Sequence, residues 1–430
     1  GTIPPSFPNF VGGVATYWSQ LSNQLVNPEG LAGSDVFGAN VYLAVQYDQF
    51  TGVKHFYGAP GQTLTEVTDG GAALQEPHVR TIASKVWRAS GPLLKYSEVN
   101  DPTIVDNANG GGLIDVTTAE GAIGPIKGLG VYRNQLAVFG TSGVQIWTVD
   151  PDPSPDRTFL SEVVGGLNVV SGKTIATYDN QDILFLTPTG IRSLRAQNLN
   201  AAAAVDDIGT PIDDLVRQAV LTGQASSQGL AGLVGRDQSV FYGPPPANMA
   251  SVIEPITGQF WVAVGGTIFI LSRFRSSEVR AWSMAKLPNS YAQGSDGHIK
   301  GAASATDRML ICTEDNTAYL YGGQLGLEYD NTPVVATTPF LDFGEPATDK
   351  SFFAIDVVCR GKWMVEAAFD PAQPDSFEYL ATVEGTTSRL HQLSMKGTST
   401  HVSLRLTSTD NTTVATLSKA AVHFKAGRKA

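Results

Sequence analysis

The chain has 430 residues, of which 42% are hydrophobic and 16% charged, and its formal net charge is −11. This hydrophobic share supports a packed core and excludes a wholly disordered chain. The acidic balance argues against a protein that grips DNA, because DNA binding needs Lys and Arg to neutralise phosphates. An ordinary acidic soluble protein has a similar charge, so charge alone does not assign a function.

The cysteine count and the hydropathy pattern exclude two further classes. The two cysteines, Cys312 and Cys359, are too few for a disulfide framework and fit folding in a reducing cytoplasm. We expect both to be ordinary buried or free thiols. The sequence shows no apolar run of the roughly 18 residues that a membrane helix needs, so no membrane insertion is expected. Residues 1–10 do not have the pattern of a signal peptide, although they could be a processed end.

A repeated β-hairpin is the main pattern along the chain. Each copy has a short apolar strand, a turn that usually contains glycine, and a second strand rich in aromatic and β-branched residues. One further copy is interrupted, with 268–272 continuing the strand 239–242 after an insertion near 244–266. The uninterrupted pairs are 41–45 with 53–57, 85–89 with 93–97, 135–139 with 144–149, 183–186 with 191–194, and 309–313 with 317–321.

The spacing of these hairpins predicts the fold class. The first turns lie roughly 40 to 50 residues apart, which is the length of one propeller blade. In the fourth turn, Pro188 presets φ and Gly190 can take a positive φ that closes a bulged hairpin. We therefore predict an all-β chain with a β-propeller of six blades. A large β-sandwich or two packed β-domains is the alternative, and five or seven blades would leave similar spacing.

One short helix interrupts the strands. Thr210 can cap it, Pro211 suits the first helical position, and Asp213 lies near the positive N-terminal end. An apolar stripe at helical spacing predicts that one face packs on an apolar surface. The stripe consists of Ile212, Leu215, Val216, Ala219 and Val220.

The regular spacing of the predicted strands ends near Gly326. The strands predicted beyond this point have no blade period, so we expect a separate sandwich-like β-domain. We divide the chain into an N-terminal segment 1–34 that joins the platform, a propeller 35–325, and a C-terminal β-platform domain 326–430. The basic end, 425–430, is expected to fray. The predicted platform strands are 333–335, 352–358, 363–369, 401–407 and 413–424.

The sequence contains no motif of a known catalytic or nucleotide site. The six histidines form no HExxH and no zinc-type cluster, and we expect each to be a surface or half-buried strand residue. There is no GxSxG elbow, P-loop or GxGxxG. The pairs Asp179 with Asp182 and Asp206 with Asp207 could suggest a glycosidase, but both stand beside turns, where Asp binds backbone amides. We therefore assign no catalytic, cofactor-binding or metal-binding residue and no cofactor.

Three other features have structural interpretations. Residues 106–110 faintly resemble a calcium loop, but Ala108 occupies a ligand position. Residues 150–156 have Pro at every second position between Asp and Ser residues and are typical of a stiff linker between blades. Four tryptophans lie on or beside predicted strands, where blade packing is favoured over ligand stacking. They are Trp87, Trp147, Trp261 and Trp282.

A segment in the middle of the chain resembles a known family. Residues 124–140 and then 144–147 are similar to a segment of the packaged-DNA stabilisation and tail-nozzle proteins of short-tailed, podovirus-type bacteriophages. The shared order is an apolar strand, a strand that ends in Phe-Gly, a turn, and a strand that ends in an aromatic residue. The likeness continues through 165–167, 173–178, the strand 182–186, the turn at Gly190 and a short helix at 206–216, and more weakly through 338–340 and 404–406.

The resemblance implies a non-enzymatic structural protein of the virion tail, made in the bacterial host cytoplasm. In the family it implies, a propeller and a β-platform assemble as a homo-hexamer. The ring lies below the tail adaptor that joins it to the portal, continues the DNA channel, and retains packaged DNA with a needle or plug. It also carries or contacts tail fibres or tailspikes.

Two expectations about assembly follow, and two rival functions stay open. We expect DNA to pass an acidic or neutral inner wall without specific binding, and residues 326–430 to help form the subunit contacts. The first rival is a propeller glycosidase or lyase that acts on host surface sugars. The second is a monomeric sugar- or peptide-binding propeller module.

Overall fold

The chain is all-β apart from one short α-helix and short 3-10 turns in the part that the structure, a computed structural model, describes. It forms two compact units, Gly1–Leu325 and Gly326–Ala430. The structure describes residues 30–47, 52–59, 62–106, 110–118, 121–150, 158–178, 182–196, 203–206, 208–222, 249–273, 280–286, 299–305, 308–313, 318–322, 334–384, 393–409 and 415–429.

Six antiparallel sheets follow one another along the described part of the first unit. In each sheet, strands that are consecutive in sequence are hydrogen-bonded neighbours. The first sheet is β1 (Gly30–Phe37), β2 (Asn40–Gln46), β3 (Val53–Gly58), β4 (Thr65–Asp69) and β5 (Ala72–Ala73). The second is β6 (His78–Ile82), β7 (Lys85–Ser90), β8 (Leu93–Tyr96) and β9 (Gly112–Asp115). The third is β10 (Ile126–Tyr132), β11 (Gln135–Gly140), β12 (Gly143–Thr148) and β13 (Phe159–Gly165).

The other three sheets have the same meander. The fourth is β14 (Ala176–Tyr178), β15 (Asp182–Thr187), β16 (Gly190–Ala196) and β17 (Ala203–Asp206). The fifth is β18 (Met249–Ile253), β19 (Phe260–Val264), β20 (Thr267–Arg273) and β21 (Arg280–Lys286). The sixth is β22 (Ile299–Ala305), β23 (Arg308–Thr313) and β24 (Ala318–Gly322).

The first strands of successive sheets touch one another. β1 contacts β6, β6 contacts β10, and the series continues through β14 and β18 to β22. A series of meanders that meet through their first strands is the arrangement of blades around an axis. The first unit is therefore a β-propeller with six described blades, as the hairpin spacing predicts.

Apolar clusters lie between neighbouring blades. Between the third and fourth blades, the rings of Phe139 and Phe185 lie 5.2 Å apart between centroids. The fourth and fifth blades share a cluster that includes Leu184 and Phe260, and the fifth and sixth share one that includes Trp261 and Met309. Inner blade strands such as β11, β15 and β19 are consequently buried on both faces and have continuous apolar runs instead of alternating ones.

The five uninterrupted hairpins of the sequence are confirmed, but the interrupted one is wrong. Residues 239–242 lie outside the described part of the chain. The strand 268–272 belongs to β20, which pairs with β19 through a tight turn at Gly265, where φ is +59°. Residues 249–253 and 260–264 are thus ordinary blade strands and no insertion. All five residues of β19 are buried, so its sequence lacks the alternation that marks a half-exposed strand.

The single described helix, α1 (Asp213–Thr222), begins later than predicted. A 3-10 turn, Thr210–Ile212, precedes it, and Gly209 occupies the cap position, so Thr210 is no cap. The range 206–216 that the resemblance implies is also wrong at its start, because Asp206 ends β17. The apolar stripe is confirmed, since Val216, Ala219 and Val220 are buried between the fourth and fifth blades.

The second unit is a sandwich of two sheets around one core. Its core includes Ile355, Trp363, Val365 and Leu404. The strands are β25 (Val335–Thr337), β26 (Thr348–Arg360), β27 (Lys362–Ala368), β28 (Glu378–Glu384), β29 (Leu393–Ser399), β30 (Ser403–Ser408) and β31 (Thr416–Lys429). One sheet has the order β25-β30-β27-β28, and the other has the order β29-β26-β31.

Two predictions for the chain ends are wrong. Residues 425–429 do not fray but complete β31, which pairs with β26 from Arg360↔Thr416 to Thr348↔Lys429. Residues 30–34, predicted to join the platform, begin β1 in the first blade. Residues 1–29 lie outside the described part. The fraying prediction depended on the polar, basic residues at this end. Backbone hydrogen bonds to the 13-residue strand β26 outweigh that local polarity.

Candidate functional site

A group of five polar and charged side chains lies between the first and second blades, and all of them except Lys95 are buried. We call it the inter-blade cluster; its members are Tyr42 on β2, His55 on β3, Glu76 between β5 and β6, Arg88 on β7 and Lys95 on β8. Glu76 is 3% exposed and Arg88 1% exposed, and Tyr42 and His55 are wholly buried. Charged groups this deep occur only with partners, because desolvation is otherwise too costly.

The Glu76 carboxylate is the centre of the cluster. Its Oε2 lies 3.3 Å from Nη1 of Arg88, and its Oε1 lies 2.6 Å from Nζ of Lys95. His55 Nε2 lies 2.8 Å from the Glu76 carbonyl oxygen, which can only accept, so Nε2 carries the proton. The neutral ring then accepts at Nδ1 from the Tyr42 hydroxyl, 3.2 Å away.

The pKa values of the cluster follow from burial and from the two cations. Burial, reinforced by the charge of Arg88, lowers the pKa of His55 to about 4. Burial raises the pKa of Glu76, but the hydrogen bond from Lys95 and the charge of Arg88 outweigh it, so the net shift is downward. Burial also raises the pKa of Tyr42. At neutral pH the cluster holds an ionised Glu76 between two cations, with neutral His55 and Tyr42 beside it.

This arrangement ties one blade to the next. Both carboxylate oxygens of Glu76 are bound to cations of the second blade, while its backbone carbonyl is bound to His55 of the first. The geometry presents the charged groups to one another and leaves the carboxylate turned away from solvent. Its chemistry is that of a buried ion pair that fixes the spacing of two sheets.

A second polar cluster ties the fourth blade to the fifth. Asp182 on β15 accepts from Ser193 Oγ at 2.5 Å and from Arg273 Nη2 of β20 at 3.0 Å. The Arg273 guanidinium also lies 4.3 Å from the centroid of the Tyr178 ring. Of the carboxylates that the sequence singles out, Asp182 is therefore an inter-blade ion-pair partner. Asp179 and Asp207 lie outside the described residues, and Asp206 ends β17.

The histidines occupy separate places in the described structure. Burial, with a smaller contribution from Lys127, lowers the pKa of the half-buried His78 to about 4. His401 Nδ1 lies 2.8 Å from Thr400 Oγ1, and His423 Nε2 lies 2.9 Å from Asp356 Oδ2. His298 and His391 lie outside the described part. The prediction of a surface or half-buried position is wrong for His55, which the first two blades enclose completely.

The other sequence candidates have structural surroundings. Cys359 is buried, as predicted, and burial raises the pKa of its thiol. Cys312 lies on β23, and its side chain is outside the described part. Residues 107–109 and 151–157, from the calcium-like loop and the linker, are also outside it. The predicted packing of the tryptophans on strands is confirmed: Trp87, Trp147 and Trp261 are buried, and Trp282 is half-buried beside the core.

The described residues contain no group of three or more His, Cys, Asp or Glu side chains that could hold a metal ion. None of the helices described is long and apolar enough to cross a membrane.

A lysine in the second unit has an unusual environment. Lys350 on β26 is wholly buried, and its Nζ donates to three backbone carbonyls. The acceptor oxygens belong to Glu345 at 2.6 Å, Thr348 at 3.0 Å and Thr400 at 3.1 Å. The ammonium group thereby joins the loop before β26 to the turn before β30.

Sequence reasoning missed the inter-blade cluster, although one signal was present. Arg88 lies in the strand Lys85–Ser90, whose first five residues are all buried. A charged residue inside a strand buried on both faces requires a buried counter-ion, and that requirement could have directed attention to Glu76.

Comparison with known proteins gives only distant structural likenesses. No protein-family model matches the chain, and no curated protein matches it. BamB from Moraxella catarrhalis is 12% identical with a TM-score of 0.36, over 68% of this chain and 69% of that one. A proposed 6-phosphogluconolactonase from Bacteroides uniformis is 11% identical with a TM-score of 0.40, over 68% and 81%. A protein of unknown function from Desulfotomaculum acetoxidans is 9% identical with a TM-score of 0.39, over 67% and 84%. At these values the likenesses carry no inference about what the chain does.

Proposed function

We propose that this chain is the structural nozzle, or hub, protein of a short-tailed phage tail. In this proposal its copies form a hexameric ring below the portal and adaptor and continue the DNA channel. The observation that carries the proposal is the order of parts along the chain. The segment 124–147 forms β10, β11 and β12 in the order that the resemblance requires, and a separate two-sheet unit follows the propeller.

The placement of buried charge supports a mechanical role. The inter-blade cluster joins the first and second blades, and the Asp182–Arg273 pair joins the fourth and fifth. Removing one partner of a buried ion pair is strongly destabilising, so these ties oppose the separation of blades. A protein that keeps a channel open by its shape alone depends on contacts that prevent its blades from separating.

The net charge supports the passage of DNA without specific binding. Each copy has a formal charge of −11, so six copies have −66. A wall of this sign repels phosphates instead of releasing their counter-ions. The proposal includes the tail adaptor above the ring, and fibres or spikes and a needle or plug as further partners. It assigns no residue to the gate that retains packaged DNA.

Electron microscopy and mass photometry of the purified chain test the proposal. We expect six-fold rings of about 270 kDa, from six copies of 45.5 kDa each. These rings should bind a purified portal–adaptor assembly. A monomer at every concentration, with and without tail components, would refute the proposal. Release of reducing sugar ends from host surface polysaccharide by the pure chain would support the glycosidase instead.

A further inference from the structure

The second unit has two edge strands of opposite charge. β31, with 14 residues, is an edge of the sheet β29-β26-β31, and we call it the basic edge. Residues 415–430 contain Lys419, Lys425, Arg428 and Lys429 and no Asp or Glu. β28 is an edge of the other sheet, and with residues 369–377 we call it the acidic edge. Residues 369–384 contain Asp370, Asp375, Glu378 and Glu384 and no Lys or Arg.

The two edges lie on opposite sides of the sandwich. In one sheet, β26 separates β29 from β31. β28 of the facing sheet contacts β29 and therefore lies on the side away from β31. Within one copy, the basic edge consequently cannot reach the acidic edge.

Both edges present charged groups to solvent. Lys419 and Lys425 are exposed on the basic edge. On the acidic edge the Glu384 side chain is 72% exposed, and the neighbouring Tyr379 is 61% exposed. Glu384 forms a 2.9 Å pair with Lys362 in this exposed setting, where such pairs contribute little and exchange readily.

The backbone of the basic edge adds a second reason for association. In an antiparallel pair, alternate residues of an edge strand direct their N–H and C=O groups away from the neighbour. β31 pairs with β26, and among the described strands its other side has no neighbour. A long open edge recruits another strand unless something prevents it. Lysines on an edge strand can by themselves block pairing with another strand. That role would not need an acidic edge on the opposite side of the sandwich.

We propose that the basic edge of one copy docks on the acidic edge of the next copy. A two-fold contact of β31 with β31 would set lysines against lysines, which is destabilising. Unlike edges on opposite sides instead give a head-to-tail contact, and head-to-tail contacts form a ring when the rotation from copy to copy closes. This inference rests on the proposed ring and names the surfaces that build it.

Reversal of charge on each edge provides the test. The basic-edge variant carries Lys419→Glu and Lys425→Glu, and the acidic-edge variant carries Glu378→Lys and Glu384→Lys. In each variant alone, positions 378, 384, 419 and 425 all carry charge of the same sign, so the variant should remain a 45.5 kDa monomer at concentrations where the wild type forms rings. Mixed in equal amounts, the two variants should form rings again, with alternating copies. The matched control is Lys396→Glu, an exposed lysine on β29 of the same sheet, which should leave the rings intact.

Cross-linking identifies the contact in the wild-type protein. Copies labelled with ¹⁴N and ¹⁵N are mixed and treated with a carbodiimide, which joins a lysine to a carboxylate in direct contact. We expect links from Lys419 or Lys425 of one isotope to Glu378 or Glu384 of the other. Links from these lysines only to residues of the same copy, including residues 1–29, would overturn the inference. This result decides the matter if a reversed variant fails to fold by circular dichroism.

The failures of the two proposals are distinguishable. Wild-type rings that both reversed variants also form would overturn the docking inference and leave the ring itself standing. A wild-type chain that stays monomeric would overturn the ring, and the docking inference with it.

Discussion

Replacing Glu76 with glutamine removes the carboxylate that binds Arg88 and Lys95 and keeps the shape of the side chain. The amide oxygen can still accept a hydrogen bond, but the negative charge is lost. Arg88, 1% exposed, then keeps an uncompensated charge between two blades. Breaking a buried pair from one side costs about 3–5 kcal/mol. The side chain of Lys95 is 34% exposed and can reach water, so we expect the low end, about 3 kcal/mol.

Native-state hydrogen exchange is the suitable assay for this change. The chain has two compact units, so global unfolding need not be two-state. The amides of β7 and β8 report on the second blade directly. A loss of about 3 kcal/mol corresponds to exchange roughly a hundredfold faster at these amides. Amides of the second unit should keep their wild-type rates.

Glu66→Gln is the matched control. Glu66 pairs with Lys54 at 3.2 Å on the surface of the first blade, where the pair contributes less than about 1 kcal/mol. If Glu76→Gln changes exchange in β7 and β8 no more than Glu66→Gln does, the inter-blade cluster is not a structural tie. The double variant Glu76→Met with Arg88→Met should regain most of the loss, because it leaves no buried charge unpaired.

Three further predictions follow from the structure. The pKa of His55 is about 4 in the fold and 6.5 unfolded, so the contribution of His55 to stability changes little above pH 6.5 and falls by about 3 kcal/mol as the pH drops toward 4. Urea unfolding at pH 7, 5.5 and 4.5 should show this slope, and His55→Asn should reduce it without removing it, because the pKa of His78 is also about 4 in the fold. Gly190→Ala should lower the free energy of unfolding by about 2 kcal/mol, because φ is +145° and a Cβ would collide with the Asp213 carboxylate. An unchanged melting temperature would contradict this. Lys350→Met should cost about 3 kcal/mol, since the buried Thr348 carbonyl and two part-buried carbonyls lose the ammonium donor, and wild-type amide exchange in β26 would argue against it.

The amino-acid sequence by itself determined the elements that depend on short-range chemistry. A hairpin such as β7–β8 forms because Gly91, with φ of +57°, closes a turn between two strands rich in apolar residues. The repeat of these hairpins at blade length was enough to predict a propeller, and the apolar stripe of α1 predicted its packing. These features are local, so neighbouring residues carry the whole signal.

The tertiary structure alone decided which distant residues meet. β19 escaped prediction because burial on both faces erases its alternation, and burial is a property of the assembled blades. Residues 425–429 form a strand because they pair with β26, which lies more than seventy residues earlier in the chain. The position of Arg88 in a buried strand indicates that it needs a counter-ion, but no local feature marks Glu76 as that partner. They meet because two sheets pack face to face, and desolvation then makes each charge depend on the other.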